Sequence, residues 1–183
     1  MPAYHSAFNG ESNVRIVGNL SLLPFHSQFR GPAPPAPDPA EDVVEETLEL
    51  FRANVFFRNY EIKGPADRLL IYGTLFISEC LSRIAIKSPT PATPGEASKL
   101  LLNLATAGPG NSPILIPGDP GFSLNAMYAP PASTVEADQL RQYLSQFRQE
   151  LASRLVTRLY DQDGHLSKWW MSFHRRKFLG KTL

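Results

Sequence analysis

A chain of 183 residues, 43% hydrophobic and 19% charged, is long enough for one packed core and too apolar to be wholly disordered. Its single cysteine excludes a disulfide framework and a cysteine zinc cluster. A formal net charge of +1 supplies no global attraction to nucleic acid or to an anionic membrane, so any electrostatic recognition must be local.

The opening residues lack the basic segment and apolar run of a secretory signal, and the longest oily stretch, Leu69 to Ile77, is interrupted by Gly73 and Thr74. The expectation is a soluble, intracellular protein without membrane insertion, in which the sequon Asn19-Leu20-Ser21 is an accident of composition. Residues 1–31 show no 3.6-residue period and read as an extended arm. Pro32, Pro34, Pro35, Pro37 and Pro39 then set a polyproline II connector. Arg30 is the nearest basic anchor, which favours a rigid connector over a PxxP ligand for a proline-reading domain. Residues 1–37 are thus arm and connector, and 38–183 the helical core of a single domain.

Asp38 before Pro39 predicts an N-cap and a first helical turn, with Val44, Leu48, Phe51 and Val55 on one face of a helix ending near Phe57. Glu41, Glu45 and Glu49 stack at i, i+4 spacing there, a repulsion that a basic surface would relieve, either on another chain or through Arg148 or Arg154 of this one. The second helix is predicted over 65–86. It is apolar nearly all round, which makes it the central helix and makes Cys80 a buried, inert thiol. Thr93 and Glu96 form a capping box for a short helix through Leu100 to Leu104, stopped by Gly108.

Prolines and glycines forbid a long element between Pro109 and Pro131. The apolar residues of the loop from Pro117 to Tyr128, and those of the arm, must lie on something, either the helical core or a neighbouring subunit. Ser133 and Glu136 cap a long helix reaching Tyr160, with Leu140, Leu144, Phe147, Leu151, Leu155 and Leu159 on its inner face. Arg141, Gln142, Gln146, Arg148, Arg154 and Arg158 fall on the opposite face. After the turn Asp161-Gln162-Asp163-Gly164, Ser167 caps a last short helix carrying Trp169, Trp170, Phe173 and Phe178. Strand-like alternation never lasts, so the fold class is all-α: about five helices around the central one, with Pro/Gly-rich loops.

No catalytic constellation accompanies these elements. The Pro-Gly-Asp-Pro-Gly and Ala-Gly-Pro-Gly segments lack the lysine of a phosphate loop, and no GxGxxG opens a helix. Asp161 and Asp163 could start a calcium loop, but Leu166 and Ser172 occupy the positions that need glycine and glutamate. The four histidines lack metal-ligand spacing. The expectation is a non-enzyme without cofactor or metal. The informative segment is Gly164 to Leu183, with five lysines and arginines, no acid and two tryptophans. Trp169, Trp170, Arg175, Arg176, Lys177 and Lys181 are the candidate protein interface, since aromatic area and guanidinium forks concentrate at interfaces. The alternative is that the tryptophans complete the core and the bases are a solvated face.

Six blocks extend the reading: MPAYHS, GNLSLLPFHSQFRGPAP, FRANVFFRNYEIKGPADRLLIYGTLFISECL, ILIPGDPGFSLNAMYAPP, LRQYLSQFRQE and SKWWMSFHRRKFLGK. Taken in order, they resemble the 21-kDa subunit, subunit 3, of the actin-related protein 2/3 complex; the resemblance is weakest over 87–112. It implies an all-helical, non-catalytic structural subunit supporting nucleation of branched actin filaments in the cytoplasmic, cortical actin cytoskeleton. The implied partners are actin-related protein 3 and the other subunits, with actin-related protein 2 and mother-filament actin in the active state. The alternative reading is a free-standing helical adaptor for proline-reading domains.

Overall fold

The computed structural model describes residues 3–87 and 89–183. Among them are five α-helices: α1 (Val43–Asn54), α2 (Pro65–Ile86), α3 (Pro94–Thr106), α4 (Thr134–Leu159) and α5 (Lys168–Met171). They are joined by an antiparallel hairpin of β1 (Ile16–Val17) and β2 (Leu20–Ser21), in which Val17 faces Leu20. The fold is therefore mostly helical but not purely all-α. A pair of two-residue strands is too short to show alternation in sequence. It forms because Gly18 holds a positive φ of 59° at the turn, where a Cβ would meet the Ala129 carbonyl oxygen at 2.3 Å.

The central helix runs as its composition predicts, with Leu69 to Ile77 and then Cys80, Leu81 and Ile84 all buried. By length and composition α2 is apolar enough to cross a membrane, so its interrupted run does not exclude a span. Burial of most of the helix among the other elements accounts for that composition instead. Gly73 is needed where α1, α2 and α4 converge: a Cβ there would approach Thr47 Cγ2 at 2.6 Å and Phe147 Cζ at 3.1 Å.

Helix α1 starts later than Asp38 suggests. Asp38 caps only a 3₁₀ turn (Pro39–Glu41), and buried Asp42 is the true N-cap, accepting the Glu45 N–H at 3.0 Å. Both capping boxes form, but Glu96 and Glu136 each reach back one residue beyond the cap, to the Ala92 and Ala132 N–H groups. Helix α3 starts at the Thr93 cap and runs through Leu100 to Leu104, as the sequence predicts. It ends with Ala107 extended and not on a left-handed Gly108; Gly108 is small because a Cβ would strike the Pro113 carbonyl oxygen at 2.3 Å. Helix α5 is a single turn, and Phe173 and Phe178 lie outside it, Phe178 in a 3₁₀ turn (Phe178–Gly180).

Outside the hairpin, the arm is laid on the helices, and much of its backbone is satisfied by their side chains. Tyr4 N–H and C=O bond the Asn54 amide, at 2.9 and 3.0 Å. Ser6 N–H donates to buried Asp67, while Glu46 accepts from the Ser6 hydroxyl and the Ala7 N–H. Further along, Tyr143 Oη donates to Leu23 C=O at 2.7 Å, and Gln146 takes both the Ala33 N–H and the Phe29 C=O. An unpaired backbone group under such cover is costly, so each buried polar side chain registers the arm.

The α4 face opposite the leucine stripe is covered in part: Gln146 and Arg148 are buried, and Arg154 is largely covered. Burial opposes the positive charge of Arg154, but Asp42 and Glu150 beside it hold its pKa above the ordinary value. Glu45 pairs with Arg154 and Arg158, so the acidic ladder is relieved within the chain. Glu41 leaves that ladder for the 3₁₀ turn. The loop 117–128 also lies on the core, held by Arg68 and Asn19, which both donate to Met127 C=O.

Candidate interaction surface

Ser167 caps α5 by accepting the Trp170 N–H, and its own N–H returns to Leu159 C=O at 2.7 Å, fixing the angle at which the C-terminal segment leaves α4. The adjacent tryptophans diverge. Trp170 is buried and stacks on Phe51 at 5.9 Å between centroids, so it belongs to the core. Trp169 is 45% exposed, with the Arg52 guanidinium 4.1 Å above its ring.

Phe173 sits between Trp169 and Phe56, edge-on to both at 5.5 and 5.7 Å. Phe56 is 55% exposed and lies under the Arg176 guanidinium at 4.9 Å. The result is a row of three rings, Trp169, Phe173 and Phe56, closed by a guanidinium at each end, Arg52 and Arg176. Beside it a cleft of about 530 Å³ is lined by Val55, Phe56, Arg58, Arg175, Arg176, Lys177 and Leu179. Arg175, Arg176 and Lys177 are exposed, and among the described residues neither they nor Arg52 and Arg58 form an ion pair.

Of the six residues singled out in sequence, Trp169, Arg175, Arg176 and Lys177 share this face. Trp170 is turned inward. Lys181 reaches the other way, its Nζ 3.4 Å from the Ser123 C=O. Sequence reasoning missed Arg52, Phe56 and Arg58. The available signal was that Phe56 falls off the buried stripe of α1 yet is a large aromatic flanked by arginines.

Two other groups singled out in sequence, the Cys80 thiol and the 161–165 turn, are inert or internally bonded. Burial pushes the Cys80 thiol well above its ordinary pKa, away from thiolate chemistry. Asp161 and Asp163 with His165 bring ligand atoms within 4.8 Å of one another, but all three are exposed. Asp161 spends its carboxylate on the His165 and Asp163 N–H groups, which lower its pKa and close the turn. These features define a mostly helical protein whose chemically distinctive surface is a row of arginines and open aromatic rings.

Comparison with known proteins places that class. Residues 1–183 match the family model described as P21-Arc: ARP2/3 complex ARPC3 (21 kDa) subunit. The chain is 50% identical to actin-related protein 2/3 complex subunit 3 of Schizosaccharomyces pombe and 47% identical to that of Saccharomyces cerevisiae, over the full length of each. It is 42% identical to the Dictyostelium discoideum subunit over 98% of this chain and 99% of that one. The chain belongs to the family of actin-related protein 2/3 complex subunit 3.

Proposed function

We propose that this protein is a non-catalytic structural subunit of the actin-related protein 2/3 complex in the cytoplasmic actin cytoskeleton, and that residues 1–183 act as one unit. It packs against actin-related protein 3 and supports nucleation of branched filaments by stabilising the branch junction. Family membership over the whole chain supports assembly into that complex.

The observation that carries the docking face is the ladder Arg52, Trp169, Phe173, Phe56, Arg176, whose cations are exposed and, among the described residues, form no ion pair. Actin-like surfaces are acidic in net terms, so Arg175, Arg176 and Lys177 orient the subunit while Trp169 supplies an apolar anchor. The test is the triple charge reversal Arg175→Glu, Arg176→Glu and Lys177→Glu, with Trp169→Ala as a separate variant. Incorporation into the complex and branching rate are read at low and moderate salt, with circular dichroism to confirm the fold. Rim charges act chiefly on the association rate and its salt dependence, so the reversal should slow incorporation about tenfold or more at low salt. Unchanged incorporation and branching with both variants would assign this face to solvent.

A further inference from the structure

The connection from α2 to α3 carries two threonines followed by proline, Thr90-Pro91 and Thr93-Pro94. A residue before proline is held extended, and the proline offers no N–H. A protein kinase that binds its substrate as an extended strand, with an apolar next subsite lacking an acceptor for an N–H, selects a hydroxyl residue followed by proline for those two reasons.

The structure separates the two motifs. Thr90 is exposed, but Pro91 after it is buried, and its C=O accepts the Tyr160 hydroxyl at 2.9 Å. That proline is tied to the end of α4 and is closed to a kinase subsite. Thr93 has extended backbone, with φ −126° and ψ 153°, and Ala92, Thr93, Pro94, Gly95 and Glu96 are all exposed.

Thr93 is also lightly held. Its Oγ1 accepts the Glu96 N–H at 3.2 Å, and Glu96 closes the box by accepting the Ala92 N–H at 2.8 Å. Both bonds are exposed. Straightening residues 93–96 breaks them and the first backbone bond of α3, from Ala97 N–H to Thr93 C=O. Local opening of a helix end is among the least costly motions of a fold, and the remainder of α3 stays packed on α4.

We propose that Thr93 is a phosphorylation site for a proline-directed protein kinase. Thr93 Oγ1 attacks the γ-phosphorus of ATP and the bond from that phosphorus to the β,γ-bridging oxygen breaks. ADP leaves, and the hydroxyl proton passes to the catalytic base of the kinase. The phosphate brings a charge of about −1.5 to −2 at pH 7. It stands where the positive end of α3 favours an anion, but beside the Glu96 carboxylate, which it repels. The helix start is therefore kept while the capping box is broken, and Glu96 leaves the Ala92 N–H.

The experiment is incubation of the full folded chain with magnesium ATP and a purified mitogen-activated protein kinase, followed by intact mass and peptide fragmentation. A single phosphate should appear, at Thr93. Thr93→Val should remove it, Thr90→Val should leave it, and Pro94→Ala should slow its addition several-fold, with circular dichroism confirming the helices in each variant. Thr93→Ser, which keeps both the cap and the hydroxyl, should still be modified. Amide exchange at Ala92 should speed up several-fold on phosphorylation, and Glu96→Gln should prevent that change. Absence of phosphate at Thr93 of the folded chain overturns the assignment. So does modification of Thr90 at an equal rate, or a rate that ignores Pro94→Ala. Phosphate at Thr93 with Ala92 exchange unchanged overturns the broken capping box.

Discussion

The arginine that joins α4 to the start of α1 is the most informative single site to perturb. Arg154 donates to Asp42 through both Nη atoms, at 2.8 and 2.7 Å, to Pro39 C=O and His26 C=O, and to Glu150 through Nε at 2.7 Å. Arg154→Met keeps the length of the stem but strands a carboxylate whose side chain is wholly buried. Removing one partner of a buried pair costs about 3–5 kcal/mol. Asp42 keeps its bonds from the His26 and Glu45 N–H groups, so the loss should fall at the lower end, about 3 kcal/mol. For a chain of this size that lowers Tm by about 6–12 °C. Urea unfolding followed by circular dichroism measures it, provided that the slope m is unchanged. In a double-mutant cycle, Asp42→Asn should cost less in the Arg154→Met background than in the natural chain, because the buried charge has already lost its partner. A loss under about 1 kcal/mol would place Arg154 among ordinary surface ion pairs and refute the role assigned to it.

Two further perturbations separate competing effects. Gly73→Ala gains about 1 kcal/mol of helix propensity but forces a Cβ against Thr47 Cγ2, an overpacking of about 1–3 kcal/mol. The urea midpoint should therefore fall, and adding Thr47→Ser, which deletes the obstructing methyl, should recover about half. A rise in midpoint for Gly73→Ala alone would show that α1 moves away freely. Asp67 supplies a pH signature: burial raises its pKa, but the Ser6 and Lys63 N–H groups and the His5 and Asn9 side chains more than reverse this and hold it below the usual carboxylate value. A carboxyl depressed in the folded state contributes stability above its unfolded pKa and loses it as pH falls through the folded one. Acid titration should thus loosen the arm below about pH 4, read as loss of amide protection at Ser6. Asp67→Asn should be less stable at pH 7 and flatter across that acid range; identical acid profiles would remove Asp67 from the arm's anchorage.

The features legible in sequence are those with local causes. Pro65 and the all-round apolar composition of α2 mark its start and its burial. Ser133 with Glu136, and Thr93 with Glu96, mark two more helix starts. Asp38 misled because it does cap a turn, only a 3₁₀ one, and Asp42 four residues later competes for the same signal. Gln146 and Arg148 fall opposite the leucine stripe in sequence, a period that leaves their cover open. They are buried only once the arm and α3 lie over them, and no helical periodicity reports what covers a face. The same limit hid the α1 side of the aromatic ladder: Arg52 and Phe56 meet Trp169 and Arg176 across more than a hundred residues of chain, whereas the basic C-terminal run is contiguous.

That arm has a consequence for how the protein is made. Leu23 finds its Tyr143 donor 120 residues further along the chain, so during synthesis at about 5–20 residues per second the first segment leaves the ribosome roughly 6–24 s before its partner exists. Phe25, Leu22 and Leu23 wait uncovered for that interval, and a chaperone that grips extended apolar peptide has its window there.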